Sequence, residues 1–167
     1  RHEAEGPIVG SFRRGGALLA AKTHTVEFAF GGYGTNITVG TPWNPWDREV
    51  HRIPGGSSSG SGVAVGAGLV RAAFGTDTGG SVRIPAALCG CVGLKTSIGL
   101  VPRTGVAPLS QTLDTIGPLA ADVRTAALMF AAMQGDDGED PTTAGVRRID
   151  RAAPHLLVRG VMGAWIV

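Results

Sequence analysis

The sequence predicts an α/β fold, and three observations lead to that prediction. The 167 residues are 43% hydrophobic and 17% charged, which is the composition of a folded domain and not of a disordered chain. Helical and short extended segments alternate along the chain, which favours helices layered on a sheet. Glycine is abundant, with 27 residues, and it allows the tight turns and close backbone approaches that such layers use.

Apolar spacing and stop signals predict the helices in chain order. The first is expected over residues 3–15, ending at a Gly-Gly pair, and a brief second helix is expected after Thr23. Three further helices are predicted at 60–69, 82–88 and 123–133, the last bounded by Asp122 and Gly135.

Short apolar segments predict the strands, at residues 17–21, 72–74, 91–94 and 161–167. Residues 30–54 are rich in Gly, Asn, Thr and Pro and are expected to form either a long ordered loop or a segment without order. Ordered loops of that length inside a domain are usually functional. Residues 136–140 are expected to form an acidic turn in contact with solvent. Because the chain starts without Met and stops inside an apolar run, we expect a single partial domain over residues 1–167.

Composition excludes several classes of function. Fifteen Lys and Arg against thirteen Asp and Glu leave a net charge of +2, too balanced for a nucleic-acid binder. Two cysteines, Cys89 and Cys91, support neither a disulfide scaffold nor a zinc site, and we expect no metal or cofactor. Arg71 interrupts the longest apolar stretch, so no membrane span is expected. No export signal is recognisable, which predicts a cytoplasmic protein.

The first informative motif is the Gly/Ser-rich segment at residues 55–62. A flexible linker would have this composition, but residues 63–70 follow it directly and are apolar enough for a core. Small residues at a helix start leave backbone N–H groups free to face an anion. The segment lacks the lysine of a phosphate-binding loop and the glycine spacing of a dinucleotide site, so nucleotide binding is disfavoured.

The second motif places Ser81 directly after Gly79 and Gly80, where a strand is expected to meet a helix. A nucleophilic serine needs such a turn, whose N–H groups can converge on an oxyanion, although Gly-Gly-Ser is also an ordinary turn. The esterase pattern Gly-x-Ser-x-Gly is absent. A Ser-His-Asp triad has little support, because all four histidines lie in contexts typical of surface or structural positions: His2, His24, His51 and His155.

Together, the two serine motifs resemble the amidase signature family, with Ser57 and Ser81 separated by 24 positions. Supporting stretches lie at residues 22–31, 41–46, 91–95 and 110–119, so the resemblance covers about residues 5–140. It implies that the chain forms part of a larger α/β core, in which a mixed sheet lies between two helical layers.

The resemblance also implies roles for individual residues. Ser81 matches the nucleophile, and Ser57 matches a bridging serine that follows a cis peptide bond and relays a proton. It further assigns oxyanion N–H donors, supporting polar residues and an acyl-pocket loop at residues 28–32. The donors are Thr78, Gly79, Gly80 and Ser81 itself, and the supporting residues are Ser58, Asp77 and Arg83.

The family's general base is a lysine, and the two lysines of this chain, Lys22 and Lys95, match other positions. The resemblance therefore supplies the nucleophile and the bridge without the base, and we expect negligible amidase activity from these 167 residues alone.

Three functions remain open at this point. The leading one is an amidohydrolase that cleaves the C–N bond of a small or aryl carboxamide through an acyl-enzyme on Ser81. The second is the glutaminase (A) subunit of a tRNA-dependent amidotransferase. The third is a catalytically inactive binding module. The expected partner is a small-molecule amide and not a nucleic acid or a membrane, and exposed sheet edges suggest association, for example as a homo-oligomer.

Overall fold

The computed structural model describes residues 5–147, so the strand predicted at 161–167 lies outside the described residues. Four α-helices form: α1 (Pro7–Arg14), α2 (Ser59–Gly66), α3 (Arg83–Cys89) and α4 (Val123–Met133). Three strands form: β1 (Ala72–Asp77), β2 (Val92–Gly93) and β3 (Thr115–Ala120). Two short 3-10 helices occupy Glu27–Ala29 and Pro141–Thr143.

The three strands form one antiparallel sheet in the order β1-β3-β2. The register of β1 and β3 runs from Ala72 opposite Ala120 to Asp77 opposite Thr115. β2 pairs over only two residues at the other edge of β3. β3 is therefore the central strand of the described sheet, and all six of its residues are buried.

Helices cover both faces of this sheet, because successive strand side chains point to opposite sides. On one face Ile116 and Phe74 pack with Phe130 of α4, and Phe12 of α1 meets the Phe74 ring edge-on at 4.9 Å. On the other face Leu119 packs in a second cluster with residues from α2 and α3, Val65 and Ala86. The α/β class is confirmed, with helices on either side of the sheet.

Sequence patterns did not predict β3, whose Pro118 is unusual in a central strand. Pro118 O accepts a hydrogen bond from Leu94 N at 3.0 Å. Since the N and O atoms of one strand residue point the same way, the missing N–H faces β2, where pairing ends after Gly93. Pairing with β1 is uninterrupted, so the proline does not interrupt the longer ladder.

The strand predicted at residues 17–21 is wrong. That segment is irregular, and the Leu18 side chain is 93% exposed. A strand needs a partner edge, and within residues 5–147 nothing pairs with this segment. One edge of β1 pairs with no strand among residues 5–147. On that edge, serine hydroxyls bind the backbone instead: Ser61 Oγ donates to Phe74 O at 2.7 Å, and Ser58 Oγ forms hydrogen bonds with Thr76 N and O.

The predicted helices form, although the ends of some of them differ from the prediction. α4 has the predicted bounds, and its Asp122 cap accepts a hydrogen bond from Thr125 N at 2.7 Å. α1 begins later than predicted, at Pro7, a residue suited to a first helical position. α2 ends earlier, at Gly66, and Gly68 follows with a left-handed φ of 72°. No helix among residues 5–147 has the length and apolar character needed to cross a membrane.

The long loop predicted at residues 30–54 is confirmed, and side chains hold it in turns. Asn36 Oδ1 accepts hydrogen bonds from the N–H groups two and three residues later. Asp47 Oδ1 does the same for Glu49 and Val50. Asn44 Nδ2 donates to Leu88 O at 3.1 Å, which ties the loop to α3.

Candidate active site

Asp77, the last residue of β1, shapes the turn that presents Ser81. The nucleophile loop, residues 78–82, links β1 to α3. The fully buried Asp77 carboxylate accepts Gly80 N on Oδ1 at 2.8 Å and Val82 N on Oδ2 at 3.0 Å. These bonds fold the loop back over the end of β1. Gly80 has φ 129°, and an added Cβ would lie 2.8 Å from Ile84 Cδ1, so the turn requires glycine.

Arg83, in the first turn of α3, closes this arrangement with two hydrogen bonds. Its Nη2 lies 2.9 Å from Asp77 Oδ1 and its Nε 3.1 Å from Oδ2. Burial raises the pKa of Asp77, but Arg83 and the loop N–H groups outweigh that effect, so the pKa is lowered. The Asp77 hydrogen bond raises the pKa of Arg83. The structure thus brings these two sequence-predicted residues together.

The Gly/Ser-rich segment is a buried, ordered turn and not a linker. The Gly56–Ser57 peptide bond is cis, and Ser57 is 2% exposed. An added Cβ on Gly55 would approach Pro85 Cα to 2.9 Å, and one on Gly56 would approach Gly31 O to 2.7 Å. The two glycines therefore let this turn pack between α3 and residues 31–34.

The serine turn and the nucleophile loop meet through their backbones. Ser58 N donates to Ser81 O at 3.2 Å, so Ser57 and Ser81 belong to directly adjacent segments despite their separation in sequence. The Ser58 hydroxyl accepts from Thr76 N at 3.2 Å and donates to Thr76 O at 3.3 Å, which joins the serine turn to β1. Within residues 5–147, neither the Ser57 nor the Ser81 hydroxyl has a hydrogen-bond partner, and the two are not bonded to each other.

The predicted oxyanion donors differ in what they contact. The Gly80 N–H is held by Asp77. In the described part of the chain, the N–H groups of Gly79 and Ser81 donate to no protein atom. The Thr78 hydroxyl donates to Asp114 Oδ1 at 2.5 Å.

Neither lysine contacts the paired serines. Lys22 is exposed, and Lys95 is exposed with its Nζ donating to Thr96 O at 2.7 Å. His24 and His51 are also exposed, and the His51 ring stacks on Trp43 with ring centres 4.4 Å apart. His2 and His155 lie outside the described residues.

A cleft of about 230 Å³ opens beside the nucleophile loop. Its lining combines Thr78 with polar and apolar residues of the segment before β3, among them Arg103, Val106, Leu109 and Asp114. A wider hollow of about 690 Å³ lies over residues 26–37 and carries the exposed rings of Phe28, Phe30 and Tyr33.

The predicted acyl-pocket loop, residues 28–32, contributes to both cavities: Ala29 lines the cleft, and Phe28 lines the hollow. Both residues have left-handed backbone angles, with φ 56° and 52°. Such angles are uncommon outside glycine and recur at functional sites.

Two residues of the cleft were not proposed from the sequence. Asp114 and Arg103 lie far from both serine motifs along the chain, and no local spacing signals their position. Arg103 Nε lies 3.4 Å from Asp140 Oδ2, and Asp140 is 8% exposed. The prediction of an acidic turn in contact with solvent is therefore wrong for Asp140, which is buried because it binds Arg103 and caps the helix at Pro141–Thr143.

Known proteins resemble this chain over most of its length. The family described as Amidase matches residues 1–157. The chain is 50% identical over 145 residues to 2-amino-5-chloromuconic acid deaminase of Comamonas testosteroni, covering 87% of this chain and 31% of that protein. It is 46% identical to the A subunit of the glutamyl-tRNA(Gln) amidotransferase of Syntrophobacter fumaroxidans, covering 83% and 28%.

Solved structures give the same result. The A subunit of the glutamyl-tRNA(Gln) amidotransferase of Thermotoga maritima matches with a TM-score of 0.84 and 42% identity, covering 88% of this chain and 32% of that one. Native peptide amidase of Stenotrophomonas maltophilia matches with a TM-score of 0.78 and 40% identity, covering 88% and 31%. The chain spans about three-tenths of the length of these relatives. With a family match over nearly all of its length, the chain belongs to the amidase family.

Proposed function

We propose that this chain carries the nucleophile and the bridging serine of an amide hydrolase, Ser81 and Ser57. The single observation that carries the proposal is the 3.2 Å hydrogen bond from Ser58 N to Ser81 O, which sets the two serine segments side by side. The turn at Ser81 is shaped by the buried Asp77 carboxylate and its ion pair with the half-exposed Arg83. A cleft lined by Thr78, although by neither Ser57 nor Ser81, opens at the start of the same loop. A constrained turn with a cavity close by is a typical setting for a nucleophilic serine.

In the proposed reaction, Ser81 Oγ attacks the carbonyl carbon of the amide and gives its proton to Ser57, which passes one on to a general base. The carbonyl oxygen becomes an oxyanion. When the C–N bond breaks, the leaving amine takes a proton back through Ser57, and Ser81 holds the acyl group as an ester. Water then attacks the ester and releases the carboxylic acid, and Ser81 regains its proton.

The base is a group other than Lys22 and Lys95, because both are exposed and neither contacts a serine of the pair. The family resemblance favours a lysine in this role. A buried neutral lysine can accept a proton at neutral pH. The 167 residues alone should therefore show negligible hydrolysis.

Backbone N–H groups of the nucleophile loop are proposed to bind the oxyanion. Those of Gly79 and Ser81 are the best placed, because Asp77 already occupies the Gly80 N–H. Thr78 is a further proposed donor, whereas Gly80 could donate to the oxyanion only by giving up its bond to Asp77. Removing one such donor typically lowers kcat by about 10²–10³-fold.

The proposed substrate class is a small carboxamide, which the family resemblance implies. The cleft that starts at Thr78 is lined by both polar and apolar residues, as the two ends of such a substrate would need. The similarity to a peptide amidase supports amide chemistry of this kind.

The proposal can be tested with a fluorophosphonate probe on the full protein that the gene encodes. We expect one adduct, located at Ser81 by peptide mapping, together with hydrolysis of aryl amides. Ser81→Ala should abolish both signals, whereas Ser97→Ala, at an exposed serine, should leave both unchanged. Full hydrolysis by the Ser81→Ala variant would overturn the proposal. An inactive, unlabelled protein that still binds amides would instead support a binding module.

A second candidate is a glutaminase subunit that passes ammonia to a partner, and relatives of the chain include A subunits of a glutamyl-tRNA(Gln) amidotransferase. The similarity to the Thermotoga maritima protein, with a TM-score of 0.84, favours keeping it. Glutamine as sole substrate separates the two functions. Ammonia release from glutamine but not from aryl amides would favour the glutaminase, and the reverse would favour the general amidase.

A further inference from the structure

We propose that Asp114 is a positioning residue for the reaction at Ser81, acting through Thr78. This inference rests on the proposed function, because it concerns the geometry of the same nucleophile loop. Asp114 does not need to touch the substrate for this role.

The two carboxylate oxygens of Asp114 bind two different parts of the site. Oδ1 accepts the hydroxyl of Thr78, the first residue of the nucleophile loop, at 2.5 Å. Oδ2 accepts Leu109 N at 2.8 Å and Ser110 N at 2.9 Å. Leu109 also lines the cleft. One side chain thus joins the nucleophile loop to the cleft wall, which we define as residues 103–114.

The sheet register explains why these residues meet. Asp77 pairs with Thr115 at the end of the β1–β3 ladder, so the next residues outward are Thr78 and Asp114. The hydroxyl of Thr115 also donates to Asp77 O at 2.8 Å. Asp114 therefore continues the ladder by a side-chain bond where the backbone pairing stops.

The cleft wall is itself anchored at its other end. Arg103 Nη1 donates to Gln111 O at 2.9 Å, and Arg103 N donates to Asp140 Oδ2 at 2.8 Å. Because this wall is held in place, Asp114 has a fixed support from which to orient Thr78.

Asp114 is better suited to positioning than to proton transfer. Three donors already occupy its oxygens, and the side chain is 8% exposed. Burial raises the pKa of Asp114, but the Thr78 hydroxyl and the N–H groups of Ser110 and Leu109 lower it further than burial raises it. The group therefore stays a carboxylate that accepts hydrogen bonds.

Without the hydrogen bond from the Thr78 hydroxyl to Asp114, the loop N–H groups should bind the oxyanion of the transition state less well. Binding of the substrate itself should change little. Measured in the full protein that the gene encodes, Thr78→Val should lower kcat by about 10-fold to 100-fold with KM changed by less than about threefold. Asp114→Asn should act in the same direction, because an amide has only one acceptor oxygen. Thr78→Ser keeps the hydroxyl and should restore at least about half of the wild-type kcat.

The double variant Thr78→Val/Asp114→Asn tests whether the residues act through one bond. We expect its kcat loss to be no larger than that of the more affected single variant. Thr38→Val, at an exposed threonine of the long loop that lines neither cavity, is the matched control and should keep wild-type kinetics.

Any one of three results would overturn the inference. Thr78→Val could keep the wild-type kcat, the double variant could lose kcat by the product of the two single losses, or Thr78→Ser could have a kcat no higher than that of Thr78→Val. Thermal melts show whether each variant folds, and if Asp114→Asn does not, the two Thr78 variants decide the question. The Ser81→Ala variant distinguishes the two proposals: activity that survives it refutes the proposed function, whereas activity that it abolishes while Thr78→Val has no effect refutes only this inference.

Discussion

Asp77 and Arg83 form a two-point ion pair across the nucleophile loop, with one carboxylate oxygen 2.9 Å from Nη2 and the other 3.1 Å from Nε. The carboxylate is fully buried, while the Arg83 side chain is 52% exposed. The same carboxylate also binds N–H groups within the loop. Asp77 therefore organises the backbone around Ser81, and Arg83 neutralises its charge.

Replacing the two partners should have unequal effects. Asp77→Asn loses the charge and leaves buried N–H groups poorly satisfied, so we expect the free energy of unfolding to fall by about 2–3 kcal/mol. Arg83→Gln removes a partner that solvent already reaches, and should cost about 1 kcal/mol. Urea titrations of both variants measure the difference. Equal losses would show that the salt bridge, and not the loop N–H groups, dominates.

The two glycines before Ser81 offer a matched pair of substitutions. Gly80→Ala places a Cβ 2.8 Å from Ile84 at a left-handed φ of 129°, so we expect a loss of about 1–3 kcal/mol of stability. Gly79→Ala meets nothing within 4 Å and should change stability by less than about 0.5 kcal/mol. Calorimetric melts compare the two. A similar loss at both sites would contradict the steric explanation.

In the full protein that the gene encodes, Ser57→Ala should slow acylation by about 10²–10⁴-fold if this residue relays the proton. The variant removes one buried hydroxyl that has no hydrogen-bond partner within residues 5–147, so the fold should persist. Single-turnover measurement with an aryl amide, with the enzyme in excess, isolates this step. Ser97→Ala serves as the control, and an unchanged single-turnover rate in Ser57→Ala would remove the relay role.

Asp140 should make stability depend on pH in the acid range. Burial raises its pKa, but hydrogen bonds from Thr142 and Arg103 outweigh that effect and lower the value from 3.8 to about 2. The stabilisation is therefore complete above about pH 4 and is lost as pH falls through about 2. In urea unfolding at pH 7, Asp140→Asn should have a lower free energy of unfolding than wild type. This difference in free energy should disappear as the pH falls from about 4 to about 2. A difference independent of pH would contradict this assignment.

Local patterns predicted several elements well, and their failures have physical reasons. α4 follows directly from its apolar spacing and the Asp122 cap, because both signals lie within the helix and its first turn. β3 was not predicted, because a proline such as Pro118 is disfavoured in a central strand. Pro118 is tolerated here because β2 pairs with β3 over only two residues, and the sequence does not reveal that length. Residues 17–21 have a strand-like composition, but pairing depends on a partner edge that composition does not encode.

The family, the two serine motifs and the need for glycine around them follow from residue identity over short spans, so the amino-acid sequence was enough to predict them. Which distant residues share the site depends on how the chain folds. Asp114 reaches Thr78 because the β1–β3 register sets them opposite each other, and Asp140 is buried because Arg103 lies beside it. Such contacts arise from the pairing of segments some 36 residues apart, and no local pattern contains that information.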